Sequence, residues 1–258
     1  MVWKVPSEGL MLMHPYVYHR QNHYTSSIYS YAQGEVNGDS LEDQVYLVGQ
    51  ETPDSPYITN ITLVIQDGRN NKFHSIPLKT NTGYNPRLFL GDFTGSGTDD
   101  ILVSMDSGGS GGFGYFYIYS FLANHPRLLF DYEVFDQTFD YSVTYKDNYL
   151  VEVINNTLHL SFMIDLSNRD KQYLADIYNE DGALKQPLTG SVSGLNQLYP
   201  IDFNGDGIYE LYALQRIIGQ YNADGLGLMQ TPLSWKDNHF SPFFDNQYAA
   251  VLGTAVNE

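Results

Sequence analysis

Cysteine is absent from this 258-residue chain, which excludes disulfides, thiolate metal sites and a cysteine nucleophile. Basic residues are scarce: 13 Lys and Arg stand against 30 Asp and Glu, a formal charge of −17. Such a surface repels phosphate backbones and anionic lipid, so it disfavours nucleic acid as a partner and favours cations. No apolar run approaches the ~20 residues of a membrane span, so membrane insertion is not expected. The stretch from Met1 to Tyr18 holds one Lys and the short run GLMLM, too interrupted for a secretory leader.

What is present points to a folded β protein. Apolar residues make up 42% and aromatics 15%, with 22 Tyr, a residue suited to pleated, half-buried surfaces. Gly, Asn, Asp and Ser recur at short intervals as turn residues should.

The segment YPIDFNGDGIYELYAL, Tyr199 to Leu214, places oxygen-bearing side chains at every second residue. Its opening fits an EF-hand loop, but the twelfth position of such a loop is Ala213 where a bidentate Glu is needed. The flanks also read as strands. Two other stretches align with it. On the first acid the three give Glu35-x-Asn37-x-Asp39-x₃-Asp43, Asp92-x-Thr94-x-Ser96-x₃-Asp100 and Asp202-x-Asn204-x-Asp206-x₃-Glu210. Each has Gly at the fourth position (Gly38, Gly95, Gly205), and strand-like residues follow each loop.

Asp92 lies 57 residues after Glu35, and Asp202 lies 110 after Asp92, so a further copy is expected near residue 147. There a strand pattern persists around a shortened loop, Lys146-Asp147-Asn148. A unit of about 50–55 residues has room for four short strands, one propeller blade. The expectation is an all-β fold: a single domain over residues 1–258, a small propeller of about four blades with four-stranded antiparallel sheets. The blades fall near 27–80, 86–136, 139–188 and 195–252, with residues 1–26 as a closing strand or extension. Five blades, one shared by the termini, is the alternative. YLADIYN and RLLFDYEVF are each read as a blade's fourth strand, and little helix is expected.

A hard cation such as Ca²⁺ takes six to eight oxygens at about 2.3–2.6 Å. In the last loop Asp202, Asn204 and Asp206 offer side-chain oxygens, Ile208 its carbonyl and Glu210 a closing carboxylate. DFNGDGIYEL, with EVNGDSLEDQV and DFTGSGTDDIL, resembles the calcium loop of FG-GAP/VCBS-type repeats, found in integrin-like propellers and many bacterial surface proteins. The resemblance implies Ca²⁺ as the bound ion and matching roles for Glu35, Asn37, Asp39, the Leu41 carbonyl and Asp43. Asp92, Thr94, Ser96, Thr98 and Asp100 form a weaker set, in which hydroxyls replace two stronger ligands. For that loop a turn held by hydroxyl hydrogen bonds is the preferred reading.

Other signals carry less. Gly108-Gly109-Ser110-Gly111-Gly112 matches G-x-S-x-G, yet a nucleophile elbow needs a strand-to-helix turn and here both flanks are strands. His14, His19 and His23 have no carboxylate of matching spacing for a metal. The adjacent acids Asp99-Asp100 point to opposite faces of a strand and cannot act as a glycosidase pair. Asn60 and Asn155 begin glycosylation sequons. The functional expectation is a non-enzymatic, calcium-binding structural or binding module on a cell, spore or extracellular surface, with a surface protein or glycan as partner. The alternative is a polysaccharide lyase or hydrolase working in a propeller channel.

Overall fold

A computed structural model describes residues 26–243 and 246–251. Three antiparallel sheets are present. The first runs in sequence order through β1 (Ser27–Gly34), β2 (Asp43–Thr52), β3 (Ser55–Gln66) and β4 (Phe73–Pro77). The second does the same with β5 (Tyr84–Gly91), β6 (Asp100–Asp106), β7 (Gly114–Ser120) and β8 (Arg127–Asp131). The third sheet is larger. It contains β9 (Tyr141–Lys146), β10 (Leu150–Asn155), β11 (Leu160–Asp165), β12 (Thr189–Ile201), β13 (Glu210–Ile218), β14 (Gly225–Lys236), β15 (His239–Pro242) and β16 (Tyr248–Val251). Their order is β11-β10-β9-β12-β13-β14-β15, with β16 also paired to β14.

The sheets stack in the order first, second, third, and the residue alternation of their strands explains why. In β2, Val45 and Leu47 are fully buried against Ile101, Val103 and Met105 of β6. Leu102, which points the other way from β6, is buried too and packs with Leu211 and Ala213 of β13. A strand apolar on both faces belongs in a middle layer, and β6 provides it. Each such fully buried aliphatic contributes about 1.5–3 kcal/mol.

The outward faces of the stack are different in character. Gln33, Gln44 and Gln66 sit side by side across β1, β2 and β3, and Tyr31 packs on Tyr46 with ring centroids 5.3 Å apart. A face of glutamine and tyrosine does not drive the stacking of another sheet, as in the terminal repeat of a solenoid. At the opposite end Tyr199, Phe203 and Tyr248 are each more than 40% exposed, and Tyr199 pairs with the half-buried Tyr212.

The all-β architecture matches expectation, but ring closure is not seen among the described residues. One blade and two strand assignments also need correction. The unit at 139–188 is not a separate four-stranded blade. Its β9 hydrogen-bonds to β12 (Thr144 opposite Thr189, Val143 opposite Gly190), which merges it with the following unit in one sheet. YLADIYN is helical, not a strand: α2 spans Lys171–Ile177, after α1 (Tyr132–Asp136) in the second half of RLLFDYEVF. Both helices start at an aspartate cap. Asp170 accepts from the N–H groups of Gln172 (2.8 Å) and Tyr173 (3.2 Å), and Asp131 from that of Glu133 (2.9 Å). An N-cap carboxylate satisfies amides that a strand would have paired sideways. The expected N-terminal strand and the histidines at 14, 19 and 23 lie outside the described residues. Among those described, no helix is long and apolar enough to cross a membrane.

Candidate metal-binding loops

The three aligned segments join β1 to β2, β5 to β6 and β12 to β13, and all three share one hydrogen-bond template. The first acid gathers backbone amides. Glu35 Oε1 accepts from Asn37, Gly38 and Asp39. Asp92 Oδ1 accepts from Thr94, Gly95 and Ser96, and its Oδ2 from Gly97. Asp202 Oδ1 accepts from Gly205 and Asp206, and its Oδ2 from Gly207. The fifth residue repeats its own bond: Leu41 N to Asp39 Oδ1 at 3.0 Å, Thr98 N to Ser96 Oγ at 3.3 Å, Ile208 N to Asp206 Oδ1 at 2.8 Å. The last acid accepts from the second residue in each: Val36 to Asp43 (3.1 Å), Phe93 to Asp100 (3.1 Å) and Phe203 to Glu210 (3.0 Å). The fourth position curls through φ of 84°, 71° and 74° at Gly38, Gly95 and Gly205, a conformation open to glycine.

The loops are also joined to each other. Asp99 N donates to Glu35 O at 2.9 Å, and Tyr209 N donates to Asp92 O at 2.7 Å. Glu35 and Asp92 therefore each hold their own loop with the carboxylate and the next loop with the carbonyl. This linkage puts the third loop beside the second, although the whole 139–188 unit lies between them in sequence.

The loops differ in how their polar centres are satisfied. In the first, Arg69, from the turn between β3 and β4, reaches across: its Nε donates to Asp39 Oδ2 at 2.6 Å and its guanidinium also to Asp39 O at 2.7 Å. Asn37 Nδ2 donates to Asp43 Oδ1 (3.2 Å), as does Gly68 N (2.9 Å). In the second, the Thr94 hydroxyl lies 3.2 Å from Asp100 Oδ2 and 3.4 Å from Asp92 Oδ1, and Ser96 Oγ donates to Thr98 O. In the third, Asn204 Nδ2 donates to Asp206 Oδ2 at 2.9 Å. Among the described residues, no ion pair engages Asp202, Asp206 or Glu210.

Burial sets the closing acids apart. Asp43 and Asp100 are at most 1% exposed. Desolvation raises Asp43 above the ordinary carboxylate range, against hydrogen bonds from Gly68 and Val36 that pull it down. Desolvation pushes Asp100 up to about 6. Asp202 moves the other way, because the Gly207 amide and its neighbours favour its ionised form. Among the described residues, no group of three or more His, Asp or Glu side chains is drawn together as a metal cage.

Sequence reasoning missed Arg69. The run Asp67-Gly68-Arg69-Asn70 signals only a turn, and its contact with Asp39 is 30 residues away in the chain. The glycine-rich run 108–112 is a hairpin loop between β6 and β7, and it is pinned. Asn196, 5% exposed, donates to the carbonyls of Gly111 and Gly112 at 2.8 and 2.9 Å. The sequon reading at Asn155 is corrected: the residue is fully buried, and its Nδ2 donates to Gln247 Oε1 at 2.7 Å. A glycan needs that nitrogen in solvent.

The structure thus defines an antiparallel all-β protein of stacked sheets whose strand-joining loops repeat one acidic template. A model of the YybI C-terminal domain matches residues 139–249, a stretch nearly coextensive with the third sheet from β9 to β16. The chain is 43% identical over 255 residues to the "Uncharacterized protein YybI" of Bacillus subtilis (strain 168), covering 99% of this chain and 96% of that one. The chain belongs to the YybI family. No solved structure matches it significantly.

Proposed function

We propose that this protein is a non-enzymatic, calcium-binding structural or ligand-binding module of a cell, spore or extracellular surface, an open-ended variant of the FG-GAP/VCBS-type propeller. The supporting observation is the loop template, repeated three times and linked from loop to loop through Glu35 O and Asp92 O. Ca²⁺ between such strands would staple the sheets and relieve repulsion among the acids of each loop. The third loop suits the ion best, since its Asn204 and Asp206 are exposed and its Asp202 carboxylate is held ionised.

The exposed aromatic end of the stack, Tyr199, Phe203 and Tyr248, supplies a contact surface for a protein or glycan. A glycan array on the purified chain, followed by incubation with any bound sugar, tests the non-enzymatic reading. Binding without turnover is expected, and cleavage products would refute it. Calcium is tested by thermal melting: millimolar Ca²⁺ should raise the transition and EDTA lower it. An unmoved transition under both conditions would remove the metal from the proposal.

A further inference from the structure

We infer that Arg69 is the built-in cation of the first loop, so that this loop excludes Ca²⁺ and the chain binds one ion, at the third loop. The inference rests on the calcium reading of the third loop given above and refines where the metal goes.

The two loops share their backbone template but differ at the fifth residue's carboxylate. In the third loop Asp206 Oδ2 meets only the neutral amide of Asn204. In the first loop the equivalent oxygen, Asp39 Oδ2, carries the guanidinium of Arg69 at 2.6 Å, and the same group takes the Asp39 carbonyl at 2.7 Å. An exposed arginine on a single carboxylate would be a weak and replaceable partner. This one is held by its turn. Arg69 N donates to Asp67 Oδ1 at 2.8 Å, and Asp67 is 1% exposed. Gly68 N donates to Asp43 Oδ1, the closing acid of the same loop. Asn124 and Asn70 complete the shell of Asp67.

Three consequences follow from that anchoring. The guanidinium is presented at high effective concentration, because the turn that carries it is already bonded to the loop. A positive charge in direct contact with Asp39 repels a divalent ion approaching the same oxygens. The Gly68 amide and the Asn37 side chain also occupy Asp43 Oδ1, leaving that closing oxygen turned towards donors rather than towards a metal. The third loop has no counterpart to this turn among the described ion pairs.

The test is the stoichiometry of Ca²⁺ binding to the full chain by isothermal titration calorimetry, with wild type, Asp206→Ala, Asp39→Ala, Arg69→Met and Arg69→Gln. One ion per chain is expected for wild type and for Asp39→Ala, and none for Asp206→Ala. Both Arg69 variants should bind two. Arg69 is 59% exposed at its side chain, so its replacement leaves the core intact, which circular dichroism can verify. Two ions in wild type, one of them lost in Asp39→Ala, would overturn the inference and leave the calcium reading standing. One ion in both Arg69 variants would also overturn it. No ion in wild type but one in both Arg69 variants would uphold the role of Arg69 while removing calcium from the third loop. No ion in any variant would overturn both.

Discussion

The amide of Tyr209 donates to the carbonyl of Asp92 at 2.7 Å, while the tyrosine ring lies against Gly91, the residue before that aspartate. The joint locks the second and third sheets at the loop end of the stack. A β-carbon at position 91 would come within 2.8 Å of the Tyr209 ring and 2.8 Å of Phe89. Phe89 and Tyr209 themselves meet edge to face, with centroids 5.0 Å apart.

Gly91→Ala should therefore destabilise the protein by about 1–3 kcal/mol through overpacking. Urea unfolding measures it. The double variant Gly91→Ala/Tyr209→Ala should lose less than the sum of the single effects, since removing the ring makes room for the methyl. Strict additivity would show that ring and methyl do not meet.

For calcium, Asp206→Ala should abolish most of the rise in melting temperature that Ca²⁺ produces, and Ser96→Ala should leave it nearly intact. The second loop already satisfies its oxygens with hydroxyls and amides, so it has little to gain from an ion. Equal losses in the two variants would contradict this ranking of the loops.

Asp100 predicts a pH dependence in chelator-treated protein. Its folded pKa, about 6, lies above the ordinary 3.8, so the folded state binds more protons than the unfolded state between those values. Stability from this group is then highest below about 3.8 and falls as pH rises through about 6, by up to roughly 3 kcal/mol. Asp100→Asn cannot ionise. Measured by urea titration, the variant should gain on wild type between pH 5 and pH 8. A constant difference across that range would show that Asp100 carries no such penalty.

The buried amide cluster offers a test of the tail. Gln247 accepts from Asn155 and donates to Tyr141 and Thr231 at 2.7 and 2.8 Å, fixing the chain just before β16. Asn155→Ala strands that glutamine and the amides of Thr157 and Leu158, for a loss of about 1–3 kcal/mol. Hydrogen exchange at β16 should rise with it. Unchanged protection there would mean that the cluster does not secure the strand.

Much of the first two sheets was legible in the residues. Alternation in QVYLVG and the continuous apolar run ILVSM mark β2 and β6, and an acid followed by oxygen-bearing residues at every second position marks the strand-joining loops. The helices were missed for a local reason. RLLFDYEVF and YLADIYN read as strands, but Asp131 within the first and Asp170 just before the second each cap a helix too short for its periodicity to show. The glycine-rich run 108–112 reads in sequence only as a loop between two strands, with nothing local to say what holds it. It is fixed by Asn196, a partner far along the chain.

By itself the sequence determined the all-β class, the acidic surface and three equivalent loops, because these follow from alternation, composition and short-range spacing. Tertiary structure decided the rest. It merged the 139–188 unit with its successor through Thr144 and Thr189, set the third loop directly beside the second, and brought Arg69 to Asp39. Each of these is a choice of partner across tens of residues. Local propensity is nearly indifferent to such choices, and they are settled by which faces bury apolar surface together once the sheets have formed.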